Sequence, residues 1–130
     1  MEKVICEVPG LSDFIRKQNF PLSPVVRAGD FVFVSGLPPL DRDTGDFVIS
    51  DITRQTEMVL DNVKHALECA GSSLDKVVKA TVYITNAAYF HTVNEVYRRY
   101  FPHDPPARSF VAMSSWAQPF DIEIECIALA

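Results

Sequence analysis

An arginine and three acidic residues near the C-terminus are the side chains whose types suggest chemistry. Arg108 begins a strand-like run, and Asp121, Glu123 and Glu125 alternate with aliphatic residues in the next run. The planar guanidinium of arginine binds a carboxylate through two parallel hydrogen bonds, which a lysine cannot do. A carboxylate that is partly removed from water has a raised pKa and can transfer protons. On neighbouring strands, these residues predict either a site for a small carboxylated substrate or an ordinary surface ion pair.

The alternation in the final strand does not decide between the two interpretations. Asp121, Glu123 and Glu125 share one face, and that alone favours a solvated surface because acidic side chains are mostly exposed. The same face continues as Ile127 and Leu129, which water does not favour. One carboxylate at this border is a candidate for proton transfer, but strand parity does not say which.

A few other polar or aromatic positions are candidates for a site. Ser35 and Gly36 end an apolar strand, where a hydroxyl and a bare backbone N–H are available, although a simple strand terminator is the commoner role. Asn94 is predicted to face inward from a helix and to need hydrogen-bond partners. His91 is predicted to be exposed, and Trp116 is either a core anchor or a pocket wall. No phosphate-binding glycine loop and no ordered nucleophile, base and acid are evident.

Composition limits the class of protein. The 130 residues are 48% hydrophobic and 22% charged, which predicts one globular domain spanning residues 1–130. The net charge of −5 and the scattered basic residues argue against nucleic-acid binding. The N-terminus lacks the apolar core of a signal peptide, and no apolar run is long enough to cross a membrane. Three distant cysteines predict reduced thiols in the cytoplasm, and neither cysteines nor histidines have zinc-ligand spacing, so no metal is expected.

Periodicity predicts an α+β fold with the order β-β-β-α-β-α-β-β. The predicted helices cover residues 51–70 and 87–101, the predicted strands lie near 4–8, 25–27, 31–35, 77–85, 108–114 and 120–129, and residues 11–24 are expected to form an ordered loop. Two helices cover only one face of such a sheet. Residues 31–34 and 127–129 are apolar on both faces, so the second face is expected to be buried against another copy of the chain.

The chain resembles the RidA/YjgF family of reactive-intermediate imine deaminases along nearly its whole length. The matching segments, in chain order, are residues 29–36 (GDFVFVSG), 60–63 (LDNV), 70–71 (AG), 79–84 (KATVYI), 93–97 (VNEVY), 106–109 (PARS) and 122–128 (IEIECIA). The PARS and IEIE segments are the most diagnostic.

The resemblance implies a chorismate-mutase-like α+β protomer, with a mixed six-stranded sheet and two helices on one face. It also implies a homotrimer with three clefts between subunits. In the family the arginine of the PARS motif binds the substrate carboxylate, and the matching residue is Arg108. The glutamate that handles the attacking water matches Glu123 rather than Glu125. Ser35, Gly36 and Asn94 match positions that line the cleft.

Two positions depart from the family pattern. Leu22 stands where many active members have a tyrosine, and Phe110 stands where they often have a cysteine. The lost hydroxyl removes one way to orient water, and the phenyl ring changes the volume and polarity of the pocket. Both changes affect which substrate the site is expected to accept, and the replacement of tyrosine by Leu22 also affects the expected rate.

The implied activity is hydrolysis of reactive 2-imino or enamino acids, such as 2-iminopropionate formed from 2-aminoacrylate, to 2-oxo acids and ammonia. No cofactor is needed, because the substrate arrives already activated. A second hypothesis is a pathway-specific deaminase of an unsaturated amino acid such as 2-aminomuconate, favoured if Phe110 and Trp116 shape a larger pocket. A third is a non-catalytic metabolite-binding or chaperone-like trimer, which Leu22 favours. A ribonuclease role, also attached to the family, fits the acidic charge poorly.

Overall fold

Six strands form one mixed sheet in the computed structural model, which describes all 130 residues. The strands are β1 Lys3–Cys6, β2 Val25–Ala28, β3 Phe31–Leu37, β4 Val77–Ile84, β5 Ala107–Ala112 and β6 Ile122–Leu129, and the helices are α1 Leu11–Gln18, α2 Ile52–Cys69 and α3 Phe90–Tyr100. The spatial order is β1-β2-β3-β6-β4-β5. Only the β4–β5 pair is parallel. The predicted α+β class and the mixed six-stranded sheet are confirmed.

Helix α2 begins and ends where the sequence predicts. The Asp51 side chain accepts a hydrogen bond from the Arg54 backbone N–H at 2.8 Å, which satisfies one of the free donors of the first turn. Gly71 follows the helix with a φ of 79°, a conformation that glycine adopts without steric cost. The buried apolar side chains of α2 pack on the sheet and are Val59, Leu60, Val63, Ala66 and Leu67.

Helix α1 was not predicted, and the ordered loop expected for residues 11–24 is wrong over Leu11–Gln18. The Gly10 backbone N–H donates to the Asp13 carboxylate at 3.0 Å, and Asn19 ends the helix in the left-handed conformation. Eight residues make only about two turns, too few for a clear helical period. The sheet therefore has a third helix beside the two that the sequence predicts.

A bulge interrupts the pairing of β3 with β6. Val34 lies opposite Cys126 and Leu37 lies opposite Ile124, so β3 has one residue more than β6 in this interval. The extra length falls at Ser35-Gly36, next to the middle of β6. A bulge of this kind re-aims side chains where a strand passes a site.

A second bulge, in β4, interrupts the alternation of faces at the start of that strand. Val77 lies opposite Ala128 and Lys79 lies opposite Ile127, so Val78 is the unpaired residue. Val77 is buried and Val78 is 41% exposed, whereas strict alternation places Val78 with the core residues that follow it. From Lys79 to Ile84 the side chains alternate regularly between the two faces.

The sheet has one face covered by helices and one face without them, here called the open face. On β3, Val32 and Val34 point into the core, while Phe31 and Phe33 stand on the open face with 43% and 42% of their surface exposed. Leu129 on β6 continues this surface at 45% exposed. The predicted second apolar face is therefore present. No helix has the length and apolar character needed to cross a membrane.

Candidate functional site

Glu123 is the most chemically perturbed carboxylate of the sheet. It lies on the open face of β6, because its neighbours Ile122 and Ile124 point into the core. Burial, and then the nearby charge of Glu125, raise the pKa of Glu123 to about 6. Gly36 on the β3 bulge leaves room for this carboxylate, since a Cβ at position 36 would lie 3.2 Å from Glu123 Oε1. The bulge and the carboxylate therefore form one local unit.

The other two candidate acids, Asp121 just before β6 and Glu125 on it, are already hydrogen-bonded within the protomer. The Tyr83 hydroxyl donates to the Glu125 carboxylate. Asp121 accepts from Thr85 Oγ1 at 2.8 Å and from Gln55 Nε2 at 3.1 Å. Glu123 accepts no hydrogen bond from any protein group. Among the three candidate acids, only Glu123 is free to bind water or a ligand.

A largely apolar pocket of about 230 Å³ adjoins Glu123. It lies where α1, the segment before β2, the end of β3 and the segment before β6 meet. Its lining includes Gly36 and Leu22, and the remaining residues are Leu11, Phe14, Ile15, Phe20, Leu37, Pro38, Phe47, Gln118 and Phe120. The Glu123 half-site is defined here as Glu123, Gly36, Leu22 and this pocket.

Arg108 lies on the helix side of β5 within a group of aromatic rings. Its Cζ atom is 4.8 Å from the ring centre of Tyr97, 5.1 Å from that of Phe110 and 6.0 Å from that of Phe90. These are cation–π distances, which orient a guanidinium without consuming its N–H donors. No acidic side chain lies within ion-pair distance of it. Its donors are therefore free to bind a carboxylate.

Asn94 lies next to Arg108 and provides a second free polar group. Asn94, Tyr97 and Arg108 line a shallow groove with Arg98, Pro105 and Pro106. The half-buried amide of Asn94 makes no hydrogen bond with the protein, although the sequence predicts that it needs partners. The Arg108 half-site is defined here as Arg108, Asn94, Tyr97 and Phe110.

The two half-sites lie apart within one protomer. The sequence suggested that β5 and β6 are neighbouring strands. This is wrong, because β4 lies between them. Arg108 is paired with Ala80 and Glu123 with Tyr83, and these two β4 residues point to opposite faces of the sheet. An ion pair between Arg108 and an acid of β6 is thus excluded within one chain.

Comparison with known proteins identifies the family. The sequence profile described as Endoribonuclease L-PSP, which represents the RidA/YjgF family, matches residues 16–130. The chain belongs to the RidA/YjgF family. A RutC family protein of Pyrococcus horikoshii is 45% identical over 108 residues, covering 83% of this chain and 86% of the relative. Reactive Intermediate Deaminase A, chloroplastic, of Arabidopsis thaliana is 42% identical over 108 residues, covering 83% of this chain and 58% of the plant protein.

A solved structure supports the same RidA/YjgF assignment. The crystal structure of YyfA from Yersinia pestis, a member of the conserved Rid protein family, superposes with a TM-score of 0.86. The two sequences are 34% identical, and the match covers 99% of this chain and 100% of the other. The fold of this chain is therefore the fold of the family.

The remaining candidate residues of this RidA/YjgF chain divide between the two half-sites. Ser35 is occupied as a donor, because its hydroxyl donates to the Ser23 carbonyl at 2.6 Å and fastens the segment before β2. Leu22 lies on that segment, is 49% exposed and lines the pocket beside Glu123. Phe110 contacts Arg108 instead, so Leu22 and Phe110 modify different half-sites.

Sequence reasoning did not select two aromatic groups that the structure brings to the half-sites. Tyr97 contacts Arg108, and its buried hydroxyl has no hydrogen-bond partner. Burial is the main reason that the pKa of Tyr97 is raised to about 12. Phe90 is the first residue of α3, and its ring centre lies 6.0 Å from Arg108 Cζ. Trp116 packs edge-on against Phe120 at 5.6 Å and does not line the pocket.

No group of three or more His, Cys, Asp or Glu side chains is arranged to hold a metal ion. The three cysteines are free thiols. The polar groups of the two half-sites are the Arg108 guanidinium, the amides of Asn94 and Gln118, the Tyr97 hydroxyl and the Glu123 carboxylate with its raised pKa.

Proposed function

We propose that this RidA/YjgF protein hydrolyses reactive 2-imino acids, and the enamino acids that tautomerise to them, to 2-oxo acids and ammonia. The observation that carries the proposal is Glu123, a carboxylate without protein partners whose pKa is raised to about 6. A general base works best when its pKa lies near the working pH. The deaminase named among the relatives supports the same reaction class.

The substrate carboxylate binds Arg108, whose forked donors match it and fix the position of the imine carbon. Asn94 is placed to donate to the same carboxylate or to the imine nitrogen. The rings around Arg108 hold the guanidinium while leaving its N–H groups available.

Glu123 performs the proton transfers. It accepts a proton from water as the water oxygen bonds to the imine carbon, and it gives this proton to the nitrogen, which receives the C=N π electrons. In the carbinolamine that results, Glu123 accepts the hydroxyl proton as the carbonyl forms and gives it to the nitrogen as the C–N bond breaks. One imine and one water give one 2-oxo acid and one ammonia, without an oxidant or a cofactor.

The two half-sites meet only if they come from different copies of the chain. Arg108 and Glu123 are on opposite faces of the sheet in one protomer, and the open face presents exposed Phe31, Phe33 and Leu129. An apolar surface of this kind marks a protein interface. We therefore propose the homotrimer that is typical of the family, with Arg108 of one copy facing Glu123 of the next.

The alternatives find less support. Phe110 and Trp116 do not line a common pocket, so the enlarged site that favours 2-aminomuconate is not formed within the protomer. The description of the family profile suggests an RNA substrate, but the net charge of −5 argues against binding of a polyanion. A cytoplasmic location stays a prediction, supported by the free thiols.

The test is the loss of an imine generated in situ by an amino-acid oxidase, followed with and without the protein. We expect the protein to accelerate imine loss and ammonia release, and the Arg108→Ala variant to give the spontaneous rate. Wild-type protein that is no faster than Arg108→Ala would refute the assignment. Tight binding of a 2-oxo acid without turnover of any imine would favour the non-catalytic metabolite-binding trimer.

A further inference from the structure

We propose that the pocket beside Glu123 binds the substrate side chain and selects 2-imino acids with branched aliphatic or aromatic side chains over those with a methyl group or a second carboxylate. This inference rests on the proposed deaminase function and specifies its substrate class. It depends on the size, the lining and the position of the pocket.

The pocket wall contains a chain of aromatic rings in edge-to-face contact. Phe14 contacts Phe20 at 6.1 Å and Phe47 at 5.3 Å between ring centres, and Phe47 contacts Phe120 at 4.9 Å. Leu22 lies at the exposed rim. Rings that hold each other in this geometry give a wall of fixed shape.

The size of the pocket fits a side chain and not a whole drug-sized ligand. Its volume is about 230 Å³. An apolar cavity of about 150 Å³ binds benzene, so a benzyl or isobutyl group can be accommodated. A methyl group leaves most of the aromatic wall in contact with water, so it buries little apolar surface and gains little binding free energy from the pocket.

The polar groups of the pocket disfavour a second carboxylate. Only Gln118 and Glu123 bring polar side chains to the lining, and no basic residue is present. A substrate carboxylate in the pocket therefore has no cationic partner and is repelled by Glu123 when that residue is ionised. This argues against diacids such as 2-aminomuconate on grounds independent of Phe110.

Leu22 is the residue through which this selectivity is best tested. It is 49% exposed, so a substitution there does not open a cavity in the core. Asparagine has nearly the same shape as leucine but is polar, so Leu22→Asn changes the character of the rim without changing its volume much. Ile49→Asn is the matched control, because Ile49 is 59% exposed and does not line the pocket.

The experiment compares kcat/KM for imines made in situ from alanine, 2-aminobutyrate, leucine and phenylalanine. One methylene in an apolar pocket changes kcat/KM by about 10-fold or more, so we expect the leucine-derived imine to exceed the alanine-derived imine by at least about 10-fold. Leu22→Asn is expected to lower this ratio several-fold, and Ile49→Asn to leave it unchanged. Equal kcat/KM across the series, or a ratio that Leu22→Asn does not alter, would overturn the inference.

A binding measurement separates failure of this inference from failure of the proposed function. Pyruvate, 4-methyl-2-oxopentanoate and phenylpyruvate are titrated by calorimetry into the assembled protein. Tighter binding of the two larger acids, without imine turnover, would uphold the pocket and refute the deaminase. Imine turnover with equal binding of all three acids would uphold the deaminase and refute the pocket.

Discussion

Replacing Glu123 by glutamine is expected to abolish imine hydrolysis and, at neutral pH, to make the protein more stable. The carboxylate has an ordinary pKa of 4.5 and a folded-state pKa of about 6, raised mainly by burial. A group whose pKa is raised on folding binds more protons in the folded state than in the unfolded state between these two values. The free energy of unfolding therefore falls as the pH rises through this window, and the loss is complete above about pH 7.

The magnitude follows from the two pKa values of Glu123. Each pKa unit corresponds to about 1.4 kcal/mol, so the full difference amounts to about 2 kcal/mol. The side chain is partly exposed, and solvent screening reduces the expected effect to about 1 kcal/mol. Glutamine has a similar shape and no charge, so Glu123→Gln removes this cost. At pH 7.5 the free energy of unfolding of the variant is expected to be about 1 kcal/mol higher than that of the wild type. At pH 4 the two free energies are expected to be equal.

Urea unfolding at several pH values, at one fixed protein concentration, measures the difference directly. The control is Glu95→Gln, which removes the same charge from an exposed position on α3. Glu95→Gln is expected to change neither imine hydrolysis nor the pH dependence of stability. A Glu123→Gln variant that is less stable than wild type at pH 7.5 would show that the carboxylate is satisfied in the folded state, and would refute the reasoning. The kcat/KM of the wild type is expected to fall as the pH drops below about 6, because protonated Glu123 cannot accept a proton.

Three other variants test the geometry. Arg108→Lys keeps the charge but loses the forked donor pair, so KM for the imino acid is expected to rise about 10- to 100-fold, whereas an unchanged KM would place the substrate carboxylate elsewhere. Gly36→Ala places a Cβ 3.2 Å from Glu123 Oε1 and displaces the carboxylate. We therefore expect kcat to fall about 10-fold or more while the urea midpoint changes little. Full activity of this variant would show that the bulge has no part in the site. Phe33→Glu puts a charge on the open face and is expected to give inactive monomers in gel filtration, whereas an active trimer would exclude that face from the interface.

Local sequence signals predicted the elements whose ends have strong caps. Helix α2 has Asp51 before it and Gly71 after it, and the structure uses both as caps. Helix α1 has only two turns, and its signals are the Asp13 hydrogen bond to Gly10 and the left-handed Asn19, which are visible only with the backbone in place. Short elements are stabilised by tertiary contacts that periodicity does not contain.

The arrangement of the site was less predictable than its residues. The position of β4 between β5 and β6 is a long-range property, and together with the opposite faces of the two residues it separates Arg108 from Glu123. Glu123 was selected by family resemblance alone. The structure supplies a physical reason, because Glu125 is bonded by Tyr83 and Asp121 by Thr85 and Gln55. These pairings join residues far apart in sequence, so no local pattern reveals them.

The placement of Arg108 and Glu123 on opposite faces of one sheet has a genetic consequence. In a trimer whose clefts each take the arginine from one copy and the glutamate from the next, an allele lacking Arg108 and an allele lacking Glu123 damage different sides of the cleft. When both chains are made in one cell and assemble at random, about one cleft in four combines the intact sides of the two, because each side is drawn independently. In the proposed trimer, two alleles that are each null when alone are therefore expected to complement one another.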